Sequence, residues 1–69
     1  MKVSARNALK GTVKSITKGT VTAHVTIDVN GVEITAAITN ESVEDLSLAE
    51  GETAYAVIKA SDVMVGIDG

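Results

Sequence analysis

Apolar and polar residues alternate along much of this chain, most clearly over residues 20–39. Val21, Ala23, Val25, Ile27 and Val29 hold one parity, and Thr22, His24, Thr26 and Asp28 hold the other. A period of two marks a half-buried strand. Asn30-Gly31 follows, and a type I′ turn needs positive φ at both central positions, which Asn and Gly tolerate best. Val32, Ile34, Ala36 and Ile38 then alternate with Glu33, Thr35, Ala37 and Thr39. A two-residue turn would set Val29 opposite Val32, Ile27 opposite Ile34, Val25 opposite Ala36 and Ala23 opposite Ile38. All four pairs lie on one face, so turn chemistry and hydrophobic pattern predict one register. The other face pairs Thr26 with Thr35 and Thr22 with Thr39. It also sets Asp28 against Glu33, a mildly unfavourable like-charge pair.

Residues 9–18 fit either a helix or a strand by the spacing of Lys10, Lys14 and Lys18 alone. Gly11, Thr12, Val13, Ile16 and Thr17 decide for a strand. The alternation Leu9, Gly11, Val13 slips to Ile16, which predicts a bulge or bend near Lys14-Ser15. Lys18-Gly19 reads as a turn. Asn40 is read as a helix N-cap, with Glu41 and Glu44 near the positive end of the dipole. Val43 and Leu46 then give one apolar stripe, so 41–47 is predicted as a short helix. Leu48 to Glu52 is a loop. Residues 53–59 and 63–67 read as two further strands, apolar on both faces and so covered on both sides, one of them by another subunit. The expected fold is mainly β: a small five-stranded OB-like barrel with one short helix between strands 3 and 4. It is expected to be a single domain spanning 1–69.

Size sharpens this picture. A 69-residue chain buries only about 60% of the surface its unfolded form exposes. Small domains are commonly reinforced by disulfides, a structural metal or oligomerisation. There is no Cys, and one His makes structural zinc implausible. Oligomerisation remains, and 45% hydrophobic residues suffice for a core and an interface. The net charge is −3 and Tyr55 is the one aromatic residue, which argues against a nucleic-acid partner. The N-terminus has no apolar signal region and no run approaches a membrane span, so a cytoplasmic protein without a membrane partner is expected.

Charge is unevenly placed. Residues 1–18 carry Lys2, Arg6, Lys10, Lys14 and Lys18 and no acid. Residues 41–52 carry Glu41, Glu44, Asp45, Glu50 and Glu52 and no base. This is either charge complementarity within or between subunits, or a local anion site at the basic end. Catalysis is poorly supplied. His24 sits among threonines on a polar strand face, no Cys can act as nucleophile, and no Ser-His-Asp spacing stands out, so no catalytic residue is assigned. Anion binding is better supplied. Ser4 offers a hydroxyl, Arg6 a planar fork of donors, Asn7 an amide, and the backbone around Ala5 N–H groups. Lys59 offers a point charge, Ser61 a hydroxyl, and the break at Ala60-Ser61 free N–H groups.

Four stretches in order carry a family resemblance: Ser4-Ala5-Arg6-Asn7, Leu9-Lys10-Gly11-Thr12-Val13, Ala37-Ile38-Thr39 and Lys59-Ala60-Ser61-Asp62-Val63. With their spacing and the chain length, they resemble the molbindins. These are small Mop-type molybdate-binding proteins whose module also occurs as the TOBE domain of molybdate transporters and regulators. The resemblance covers essentially the whole chain. It implies that molybdate or tungstate sits between subunits, with the Ser-Ala-Arg-Asn region from one chain and the Lys-Ala-Ser region from another. The contacts it implies are Ser4, Ala5, Arg6, Asn7, Lys59, Ala60 and Ser61, with Thr39 a further candidate. It also implies a homo-hexamer, a trimer of dimers, with secondary anion sites near the threefold axes, for which Gly19-Thr20 is the candidate.

A donor-only site would favour molybdate over phosphate. Phosphate usually carries a proton near neutral pH, and leaving that proton unpaired costs roughly 1–3 kcal/mol. Asp62 is the acceptor that could spoil this selectivity. No metal ligated directly by side chains and no organic cofactor is expected, since no aromatic or apolar pocket residues suited to a pterin ring stand out. The function expected is intracellular storage or homeostasis of the oxyanion. The alternative is a structural or regulatory oligomerisation module with incidental anions.

Overall fold

A computed structural model describes all 69 residues. Strand β1 runs over Asn7–Lys18, β2 over Thr22–Val29, β3 over Val32–Thr39 and β4 over Thr53–Ile58. One helix, α1, spans Asn40–Asp45, and a 3-10 turn spans Ala60–Asp62. The strands form one antiparallel sheet in the order β3-β2-β1-β4.

The β2–β3 hairpin has the register its sequence requires. Val29 faces Val32, Ile27 faces Ile34, Val25 faces Ala36 and Ala23 faces Ile38. Asn30 and Gly31 take φ of 50° and 87°, as a type I′ turn demands. Asp28 and Glu33 do lie opposite each other. Their repulsion is relieved, since Lys14 pairs with Glu33 and the Asp28 carboxylate accepts the Gly31 N–H at 3.1 Å. The β1–β2 register shifts between Val13 and Ser15, so Lys14 is the bulged residue.

The core consists of Val13, Ala23, Val25, Ile27, Val43 and Ala56. It lies against the face of the sheet that α1 and the loop after it cover. Val43 is the one helical residue buried there.

Two expectations are corrected. The N-cap is Thr39, not Asn40, and α1 covers 40–45 rather than 41–47. Thr39 has the extended backbone of a cap and its hydroxyl accepts the Ser42 N–H at 3.0 Å. Asn40 is drawn into the helix because its side-chain amide donates to the Gly19 carbonyl at 2.9 Å, tying α1 to the β1–β2 turn.

The second correction concerns the fifth strand. Residues 63–67 are not a strand within this chain, and the sheet has four strands and is not closed into a barrel. Met64, Val65 and Ile67 are 93%, 92% and 92% exposed. Their apolar pattern is strand-like, but no edge of the same sheet takes them up. β4 is likewise apolar on both faces but covered on one: Ala56 is buried, while Tyr55 and Val57 are exposed.

Candidate functional site

β1 pairs with β4 from Asn7 opposite Ile58 to Thr12 opposite Thr53. Ser4, Ala5 and Arg6 therefore enter this ladder at the end where Lys59, Ala60 and Ser61 leave it. Asn7 clamps the junction, its side-chain amide donating to the Ile58 carbonyl at 3.2 Å. The 3-10 turn follows at once, closed by the Asp62 N–H donating to the Lys59 carbonyl at 2.8 Å. Ser4, Arg6, Lys59, Ala60 and Ser61 are exposed, and Ala5 and Asn7 are half-buried. Seven of the expected contact residues thus gather at one end of one ladder, with their hydroxyl and cationic groups open to solvent.

Thr39, Gly19 and Thr20 do not join them. Lys18 pairs with Ala23, and Thr22 with Thr39, so these residues lie at the far end of β1. At roughly 3.3 Å per residue, the twelve residues of β1 separate its two ends by on the order of 30 Å. The Thr39 hydroxyl is also committed to Ser42, donating to its Oγ at 2.8 Å as well as capping its N–H. At the Gly19-Thr20 turn the Gly19 N–H donates to the Thr22 carbonyl at 2.8 Å. The Asn40 Oδ1 nearby is buried without a partner, an acceptor that offers an anion nothing.

Electrostatics reinforces the division. The chain has six Lys and Arg side chains and two ion pairs. Lys14 pairs with Glu33, and Lys18 lies 3.6 Å from Glu44. The hydrogen bond and charge of Glu33 raise the Lys14 ammonium above the usual lysine value. The four cations left unpaired are Lys2, Arg6, Lys10 and Lys59. Arg6 and Lys59 flank the end of the β1–β4 ladder that holds Asn7 and Ile58, and Lys10 lies opposite Tyr55 in the middle of that ladder. Charge complementarity within the chain therefore accounts for Lys14 and Lys18, and an anion site remains open to the others. Asp62 is the carboxylate closest in sequence to Ser61. No cluster of three or more His, Asp or Glu side chains is placed to hold a metal ion. His24 is exposed on its strand.

Lys2 and Lys10 were not singled out as site residues by the sequence. They stand out only through pairing, since acids engage Lys14 and Lys18 and leave these two without an ion-pair partner. The structure also holds an apolar groove that local sequence patterns did not reveal. Val25, Ile27, Ala36, Ile38, Leu48 and Ala54 line it, with Met1 and Tyr55 at its margin. These residues come from three strands and a loop, so no single stretch announces a pocket. Thr53 is its one lining residue outside the hydrophobic set.

Residues 3–65 match the TOBE domain family. The chain belongs to that family. A probable molybdenum-pterin-binding protein of Haemophilus influenzae is 48% identical over 69 residues, covering 99% of this chain and 100% of the relative. Molybdenum-pterin-binding protein 3 of Clostridium pasteurianum is 47% identical over 66 residues, covering 94% and 97%. A molybdate-binding protein from Sporomusa ovata superposes on this TOBE domain with a TM-score of 0.92 at 48% identity, covering 97% of this chain and 100% of that one. The cytoplasmic molybdate-binding protein ModG, solved with molybdate bound, gives a TM-score of 0.92 at 49% identity, covering 99% of this chain and 49% of that one. By the descriptions of its relatives this is a molybdate-binding family and not an enzyme family. No helix of the chain is long and apolar enough to cross a membrane.

Proposed function

We propose that this TOBE domain binds molybdate or tungstate at subunit interfaces of a homo-hexamer, as a non-catalytic store or buffer of the oxyanion in the cytoplasm. The observation that carries the reading is the meeting of Ser4 and Arg6 with Lys59 and Ser61 at one end of the β1–β4 ladder, with both cations free of ion-pair partners. A chain of net charge −3 repels a dianion on average, so attraction must come from such a local group. Arg6 supplies a fork of charge-assisted donors, Lys59 a point charge, and Ser4 and Ser61 hydroxyls. Ala5, Asn7 and Ala60 supply N–H groups on irregular or strand-end backbone. Thr39 and the Gly19-Thr20 turn lie too far away to join this site within one chain, so their share in anion binding requires a second copy. The whole chain acts as one copy of the module.

The relatives' names include a pterin, and the apolar groove is the one place wide enough to raise that ligand here. A pterin ring edge needs several hydrogen-bonding partners, and the groove's side chains supply only the hydroxyls of Thr53 and Tyr55, so the reading keeps no organic cofactor. The test is titration calorimetry with molybdate, tungstate, sulfate and phosphate. Micromolar or tighter binding of the first two, at a stoichiometry set by the hexamer, supports storage. Equal, weak heats from all four would leave a structural or regulatory oligomerisation module.

A further inference from the structure

Asn30-Gly31 makes the exposed tip of the β2–β3 hairpin. An asparagine followed by glycine is open to attack from its own backbone. The next backbone nitrogen can close on the side-chain carbon, and glycine has no side chain to bar the approach. The chain has three asparagines. Asn7 and Asn40 have bulkier successors, Ala8 and Glu41, and their side-chain amides are tied to the Ile58 and Gly19 carbonyls at 3.2 Å and 2.9 Å. Asn30 differs on both counts. None of the side-chain hydrogen bonds engages its amide. Nothing stands within 4 Å of the place a Gly31 Cβ would occupy. The Gly31 nitrogen itself is held, since its N–H donates to the Asp28 carboxylate at 3.1 Å.

We propose that Asn30 is a site of spontaneous modification, converted to aspartate and isoaspartate, and that Asp28 restrains the conversion by holding the attacking nitrogen of Gly31. The Gly31 nitrogen forms a bond to Asn30 Cγ and gives up its proton. The Cγ–Nδ2 bond breaks, and ammonia leaves with that proton. Water then opens the resulting imide ring at either carbonyl. Opening at Cγ leaves aspartate. Opening at the backbone carbonyl leaves isoaspartate, with the chain running through the side chain. Attack needs the nitrogen to turn from Asp28 toward Cγ, so each closure must first give up a charge-assisted hydrogen bond. Either product adds a negative charge to a tip where Asp28 already faces Glu33 and where Lys14 is the cation that pairs with Glu33. Isoaspartate also lengthens the backbone of the two-residue turn that sets the register of β2 against β3.

The test is incubation of the folded protein in mildly alkaline buffer, with peptide mass spectrometry placing the amide-to-acid change among the three asparagines. Conversion at Asn30, ahead of Asn7 and Asn40, is expected. Asp28→Ala should convert about ten-fold faster, the effect of losing one charge-assisted hydrogen bond. Asp28→Asn keeps an acceptor oxygen at the same place and should return most of the restraint. Glu33→Gln removes a charge from the tip but not the acceptor, so its rate should stay at the wild-type value. If Asn30 converts no faster than Asn7 and Asn40, in the wild-type chain and in Asp28→Ala alike, the site is overturned. Equal rates in wild type and Asp28→Ala overturn the restraint. So does a slower Asp28→Ala, which would make Asp28 the base that removes the proton. Acceleration in Asp28→Asn or Glu33→Gln that matched Asp28→Ala would trace the effect to a loosened turn and overturn the restraint as well.

Discussion

A methyl group added at Gly11 has nowhere to go. An ideal Cβ there would lie 2.4 Å from the Asp28 carbonyl oxygen, 2.8 Å from Ile27 Cγ2 and 2.9 Å from Val29 Cγ2. The first of these is backbone in a paired strand, so it cannot swing aside. Gly11→Ala should therefore destabilise the fold by about 1–3 kcal/mol, the usual range for overpacking. Urea denaturation should show it as a lower midpoint at unchanged slope. The sequence placed Gly11 in a strand, but nothing in it revealed that β2 crosses this close. At the anion site, Arg6→Ala should weaken molybdate binding about ten- to a hundred-fold, the effect of losing a charge-assisted hydrogen bond. Lys14→Ala should change affinity little, because Glu33 already holds that ammonium. Equal and small losses for both would remove Arg6 from the site.

Local elements were legible where one rule acted alone. The β2–β3 hairpin follows from Asn30-Gly31 and a period-two pattern, and the β1 bulge follows from the slip between Val13 and Ile16. The helix cap was misassigned because Thr39 and Asn40 are both good caps by type. The tie from Asn40 to the Gly19 carbonyl, a contact between residues far apart in sequence, decides between them. Thr39→Ala should accordingly cost about 0.5–2 kcal/mol and fray α1, while Thr39→Ser keeps the hydroxyl and most of the stability. Amide hydrogen exchange at Ser42 reads this directly, since that N–H is the one Thr39 accepts. The segment 63–67 shows the opposite limit. Its pattern announces an apolar strand, but no edge of this chain's own sheet takes it up.

At the scale of the whole molecule, only six residues are buried in the single chain, none charged, and no disulfide reinforces them. So small a core makes stability depend on assembly, and assembly is where the proposed ligand acts. An anion held between subunits binds the folded oligomer and not the unfolded chain. Saturation at about 100 times Kd then adds about 2.7 kcal/mol per site. For a domain of this length each kcal/mol moves Tm by roughly 4–8 °C, so a rise of about 10–20 °C is expected in excess molybdate. Sulfate at the same concentration tests the role of size, because it is a dianion too, and it should give a smaller rise. Arg6→Ala should abolish most of the rise and Lys14→Ala should retain it. Scanning calorimetry across these four conditions ties the cation cluster, the interface and stability into one measurement. A Tm unmoved by millimolar molybdate in the wild-type chain would show that no anion bridges its subunits.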